Sequence, residues 1–89
     1  MIAMGLTISY REGEAYAAYL TLRHPFGAKS YHQREMEPEI IVDFGRNGMP
    51  LGIEMLDPRR ATWTKLNRVM ERLQLPPLTR EWVRPLRAA

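Results

Sequence analysis

The chain contains no cysteine. No disulfide can therefore form and no thiolate can bind a metal, which excludes the small disulfide-rich scaffolds and the cysteine-ligated zinc sites. The sequence also has no apolar run approaching the roughly 20 residues of a membrane span. Its first residues lack the basic and apolar regions of a secretion signal. These absences predict a cytoplasmic protein that does not enter a membrane.

The motifs of common enzyme sites are absent as well. The sequence has no serine-centred nucleophile elbow, no phosphate-binding glycine loop and no dinucleotide-binding glycine pattern. The two histidines, His24 and His32, flank a proline-containing loop and match no metal-ligand spacing. We therefore expect no metal site and no cofactor, and we expect a protein that is not an enzyme.

Charge is distributed unevenly along the 89 residues, a length typical of one domain. Residues 1–58 carry five Lys or Arg against eight Asp or Glu, a net charge of −3. Residues 59–89 carry eight against two, a net charge of +6. Such an asymmetry is typical of a segment that contacts nucleic acid or an acidic partner, and equally of a solvated helix face followed by a basic C-terminus.

Residues 39–56 predict a β-hairpin. Asn47-Gly48 favours a two-residue type I′ turn, in which both central residues have positive φ. Folding the chain there pairs residues whose numbers sum to 95 and places apolar pairs on one face: Ile40 with Met55, Val42 with Ile53, and Phe44 with Leu51. The opposite face then receives the two carboxylates of Asp43 and Glu54.

Three further strands are predicted before this hairpin, at residues 6–10, 15–23 and 31–37. The third is rich in charge, which is typical of an edge strand. Asp57-Pro58 and Thr62 are alternative helix starts, and Leu75-Pro76-Pro77 ends the helix. The predicted fold is α+β: an antiparallel meander of four or five strands, one C-terminal helix on its apolar face and a short helical tail. We expect residues 1–74 to form a single domain and residues 75–89 to form a tail rich in Pro and Arg.

Residues 6–57 resemble the domain-of-unknown-function 2283 family of small bacterial proteins. The resemblance rests on Tyr10, residues 17–20, residues 40–43, Gly48 and residues 52–57. It departs from the family pattern at Tyr16 and in the turn 45–48, where family members are more acidic, and residues 24–37 are longer than usual. Residues after Arg60 lie outside it. The resemblance implies a compact antiparallel sheet, a dimer, and an antitoxin-type role with a protein partner.

The helix predicts a basic surface. Its outward side carries Lys65, Arg68 and Arg72 at helical spacing. Five more arginines extend this stripe: Arg59, Arg60, Arg80, Arg84 and Arg87. A stripe of this kind contacts either the phosphates of nucleic acid or an acidic protein. Trp63 and Trp82 fall at apolar positions, which favours a role in the core over base stacking.

Asp43 and Glu54 predict an acidic site. They lie diagonally across the hairpin, at about 7–8 Å, with Gly52 leaving space beside them and Tyr19 on an adjoining strand. That spacing is compatible with acid–base chemistry. The alternative is a solvated polar face, or a carboxylate pair that contacts a cation such as Arg23.

The sequence thus predicts a small regulatory protein that acts by contact with a protein partner. Nucleic-acid binding through the basic helix and tail is the alternative. Three to five short strands and one helix are expected to leave apolar surface uncovered, which favours a homodimer.

Overall fold

The computed structural model describes residues 2–88. In this range five antiparallel strands form one sheet and are followed by two helices, so the predicted α+β class is confirmed. The elements are β1 Ala3–Arg11, β2 Glu14–Leu22, β3 His32–Glu37, β4 Ile40–Phe44, β5 Pro50–Met55, α1 Trp63–Arg72 and α2 Arg80–Ala88. Neither helix has the length and apolar character that crossing a membrane requires.

The order of the strands across the sheet is β1-β2-β5-β4-β3. The predicted meander order was wrong, because β2 pairs with β5 and not with β3. Burial explains the difference: β5 is buried at four of its six positions, whereas β3 is exposed at four of six. A polar strand is disfavoured in the centre of a sheet, so β3 takes the edge position that its charge predicted.

The β4–β5 hairpin keeps the predicted register over four pairs, from Ile40 opposite Met55 to Asp43 opposite Gly52. A bulge then places Phe44 opposite Pro50 instead of Leu51. The predicted two-residue turn was wrong. Gly48 donates its N–H to the Gly45 carbonyl at 3.0 Å, and Gly45 donates to Met49 at 2.8 Å. This is a three-residue loop in which Gly48, with φ of 84°, takes the left-handed conformation.

Both predicted helix starts are used. Asp57 caps a separate 3₁₀ turn, Pro58–Arg60, by accepting the Arg59 N–H. Thr62 caps α1 by accepting the Lys65 N–H at 3.2 Å. The first turn therefore reverses the chain, and the second begins the helix that packs on the sheet.

The core lies between one face of the sheet and the two helices. Its buried side chains include Leu20, Val42, Ile53 and Met55 from the sheet, Leu66, Val69 and Met70 from α1, and Leu78, Val83 and Leu86 from the C-terminal segment. The helical tail is thus part of the same core. It continues through Pro85, because burial of Val83 and Leu86, at about 1.5–3 kcal/mol each, offsets the lost backbone hydrogen bond.

Candidate functional site

The second face of the sheet is not covered by the helices, and we call it the open face. Directly opposed residues of neighbouring strands point to the same side, so the strand registers define its members: Thr7, Ser9, Ala17, Tyr19, Thr21, Gln33, Glu35, Ile41, Asp43, Gly52 and Glu54. The charged members are all carboxylates. The open face is therefore partly solvated and acidic.

Tyr19 connects two strands across the middle of this face. Its hydroxyl donates a hydrogen bond to Asp43 Oδ2 at 2.8 Å. The ring crosses Gly52, where a Cβ atom would collide with the ring and the hydroxyl. The expected space beside Gly52 is therefore filled by Tyr19, and only glycine permits this close approach. The structure does bring Tyr19 and Asp43 together, as the sequence predicted, and Glu54 lies opposite Tyr19 in the sheet register.

Asp43 also accepts hydrogen bonds from two other side chains. Gln33 Nε2 lies 2.6 Å and Ser30 Oγ lies 3.3 Å from its Oδ1 atom. Within residues 2–88 no cation pairs with Asp43 or Glu54, and Arg23, the cation that the sequence suggested, is exposed and makes no ion pair. Asp43 is therefore held in position by three neutral donors, from Tyr19, Gln33 and Ser30.

Burial raises the pKa of Tyr19 well above its ordinary value. The hydrogen bond to Asp43 and the negative charges of Asp43 and Glu54 act in the same direction. The phenol consequently stays protonated and remains a donor throughout the physiological range. The carboxylates of Asp43, which the three neutral donors hold, and of Glu54 are acceptors suited to ammonium or guanidinium groups. In the described part of the chain no cluster of His, Asp or Glu is arranged to hold a metal ion.

The predicted basic stripe on α1 contacts its own chain. Arg68 lies 3.2 Å from Glu37 Oε1, and Arg72 donates to the carbonyl of Met36. Lys65 Nζ donates to the Arg60 carbonyl at 3.3 Å. Since these side chains attach α1 to β3 and to the preceding turn, their first role is structural.

The arginines of α2 form a different surface. Arg80 lies over the Trp63 ring at 4.2 Å, and the Trp63 indole donates to the Leu78 carbonyl. Arg80, Arg84 and Arg87 border a shallow groove at the start of α1. Trp63 is therefore fixed by the fold, and of the predicted stripe Arg84 and Arg87 have no ion pair within residues 2–88.

Sequence reasoning missed Gln33 and Ser30 as partners of Asp43. Gln33 lies directly opposite Asp43 in the β3–β4 hairpin. The sequence signal for this pairing is Pro38-Glu39, the two residues between β3 and β4. In the structure Glu39 has φ of 65° and closes the tight turn between these strands. Folding the chain there, as at Gly48, brings Gln33 to the acidic site.

Comparison of the chain with protein-family models, with curated proteins and with solved structures gives no match.

Proposed function

We propose that this chain is a small cytoplasmic protein, not an enzyme, that binds a basic segment of a protein partner on its open face. The observation that supports this proposal best is the environment of Asp43: three neutral side chains hold it in place, and no cation of residues 2–88 pairs with it. Electrostatic complementarity of this kind selects a partner and accelerates encounter. Glu35 and Glu54 add negative charge on the same face.

The character of the open face favours a protein as partner. Its carboxylates repel phosphates, which argues against nucleic acid on this side of the molecule. Half-buried Ala17, Tyr19 and Ile41 supply apolar and aromatic area beside the charges, and protein interfaces combine an apolar centre with a polar rim. An extended surface with fixed acceptors suits a segment that carries Lys or Arg side chains.

The resemblance to the domain-of-unknown-function 2283 family points in the same direction. It implies an antitoxin-type role, in which a small protein covers a functional surface of its partner. It also implies a dimer, and we propose a homodimer as the assembly. The apolar face that favoured a dimer at the outset is covered by the helices of the same chain, so the dimer needs a different surface.

A labelled lysine-rich peptide provides the test. Fluorescence anisotropy is measured with the wild-type protein and with D43N/E54Q, which removes two charges from the open face. Because hydrogen bonds to charged groups contribute about 1.5–3 kcal/mol each, we expect binding to weaken at least about tenfold. The matched control is E71Q/E81Q, which removes two exposed carboxylates from the helices. Equal weakening by both variants, or no binding at low salt, would contradict the proposal.

Nucleic-acid binding is retained as a second candidate because Arg80, Arg84 and Arg87 border one groove. In this second candidate function the phosphates contact α2 and not α1. The affinity for an oligonucleotide is then expected to fall steeply with salt and to be lower in R84A/R87A. R68A/R72A, which removes two arginines with contacts inside the fold, is the control. Absence of retardation at low salt would exclude this candidate.

A further inference from the structure

The two edges of the sheet differ in how they are protected. The β3 edge has six residues, three of them charged: Arg34, Glu35 and Glu37. The β1 edge has nine residues, with no charge before Arg11 and no proline. Exposed edge strands are normally shortened, charged or interrupted because their free backbone groups pair with other strands. Apart from Arg11 and the register shifts near its two ends, the β1 edge has none of these protections, so residues 5–9 are open to pairing with another strand.

The sequence of β1 is nearly symmetric about Thr7. Reading outward in both directions gives Leu6 and Ile8, then Gly5 and Ser9, then Met4 and Tyr10. In an antiparallel pair about a twofold axis at Thr7, apolar residues oppose apolar residues and small residues oppose small ones. This symmetry makes the strand complementary to a second copy of itself, whereas pairing with an unrelated strand gives no reason for it.

We propose that a second copy of this chain adds its β1 to this edge, antiparallel and with the twofold axis at Thr7. The pairing sets Leu6 against Ile8 of the second copy on the helix side of the sheet. It also covers Met4 and Tyr10, which are 58% and 55% exposed. No charge lies between residues 3 and 10, so two copies meet without like-charge repulsion.

The surface beneath this edge fits the proposal. Two apolar depressions of about 500 Å³ each lie beside β1, and Trp82 and Thr79 border both. Ile2 lines the first and Leu6 lines the second. Specific interfaces bury about 1,200–2,000 Å² in total, more than a strand pair alone provides, and contacts around Trp82 extend the area.

This inference rests on the homodimer proposed above and supplies its interface. The pairing joins two sheets into one of ten strands, with both open faces on the same side. A dimer then offers a partner two acidic sites. The arrangement leaves the helices of both copies on the opposite side of the joined sheet.

The absence of cysteine permits a direct test with single-cysteine variants of the full chain. Residue 7 is on the proposed axis and is exposed, so T7C meets its own counterpart in the second copy. Opposed Cβ atoms in such a pair lie about 4.5–5.5 Å apart, within reach of a short bis-maleimide crosslinker. We expect most T7C at micromolar concentration to form covalent dimers. T64C, exposed on α1, is the control and is expected to remain monomeric on a denaturing gel.

Light scattering on T7K provides the second arm. Two lysines on the axis repel each other, so we expect the dimer to dissociate at least about tenfold more readily, with the fold intact by circular dichroism. Q33K, which places the same charge on the β3 edge, is expected to leave the dimer unchanged.

The results of these experiments distinguish between the homodimer, its β1 interface and the function of the open face. A wild-type mass of one 10.4 kDa chain at micromolar concentration overturns both the homodimer and its interface. A dimer that resists T7K, or that crosslinks equally through T64C, overturns the β1 interface alone. If the wild-type protein dimerises through β1 but does not bind the lysine-rich peptide, only the proposed function of the open face is overturned.

Discussion

The two faces of the sheet are built from alternate residues of the same strands, yet they differ in burial and in charge. On the covered face Val42, Ile53 and Met55 are fully buried beneath the helices. On the open face Tyr19, Asp43 and Glu54 are only partly buried and form a hydrogen-bonded acidic site. Apolar burial is therefore concentrated on one face, and the acidic groups that we propose to bind a partner are on the other. Comparing the same type of substitution on the two faces should separate the contribution to stability from the contribution to binding.

The largest effect is expected from a pair of isoleucines. Ile53 on β5 is fully buried on the covered face, whereas Ile41 on β4 is half-buried on the open face. Ile53→Ala should lower the free energy of unfolding by about 2–5 kcal/mol, because it leaves a cavity. Ile41→Ala should cost about 1 kcal/mol. Urea denaturation measures both, and equal losses would contradict the division between the faces.

At Gly52 the open face is tightly packed, because the Tyr19 ring lies directly over this residue. Gly52→Ala forces the Tyr19 ring away and breaks its hydrogen bond to Asp43. We expect a loss of about 1–3 kcal/mol from overpacking. In a double-mutant cycle the same change should cost much less when Tyr19 is already Ala. An unchanged cost in that background would show that the collision is not with Tyr19.

Tyr19→Phe removes one donor to Asp43 and retains the ring. We expect a loss of about 1.5 kcal/mol at neutral pH, the lower end for a hydrogen bond to a charged group, because the pair is only partly buried. The pKa of Tyr19 is raised in the folded state, so the folded protein retains a proton that the unfolded chain releases. Its contribution is complete below the ordinary tyrosine pKa of about 10 and is lost as the pH rises above it. The free energy of unfolding, measured from neutral to alkaline pH, should decrease in the wild type and decrease less in Tyr19→Phe. An identical decrease in both proteins would contradict the assignment.

The smallest effect is expected from Arg68→Ala. The Arg68–Glu37 ion pair attaches α1 to β3, but Arg68 is half exposed. Solvent screening keeps such pairs at about 1 kcal/mol or below. A thermal melt should show a small decrease that diminishes further at high salt. A loss of several kcal/mol would show that the helical side depends on surface charge as well as on burial.

Local pairing made part of this arrangement predictable. Four hairpin pairs, and with them Asp43 near Glu54, follow from a turn near Gly48 and from the alternation of apolar residues. The edge position of β3 follows from its charge. The sequence did not determine the type of turn, because Asn47-Gly48 suits both a two-residue loop and the observed three-residue loop. In the observed loop the Asn47 side chain accepts the Met49 N–H.

Long-range contacts were not predictable from the same patterns. The pairing of β2 with β5 depends on burial summed over distant strands, which alternation within one strand does not encode. Helical spacing placed Arg68 and Arg72 on the polar side of α1, but it does not reveal that β3 lies beside that side. The role of Gly52 likewise depends on a ring from another strand.

We propose that the open face, and not the helical side, contacts a basic partner. Amide chemical-shift mapping with a lysine-rich peptide distinguishes the two surfaces. The perturbed amides are expected to cluster at Tyr19, Ile41, Asp43 and Glu54, and to return toward their free positions in D43N/E54Q. Perturbations confined to α1 and α2, with the strand amides unmoved, would contradict it.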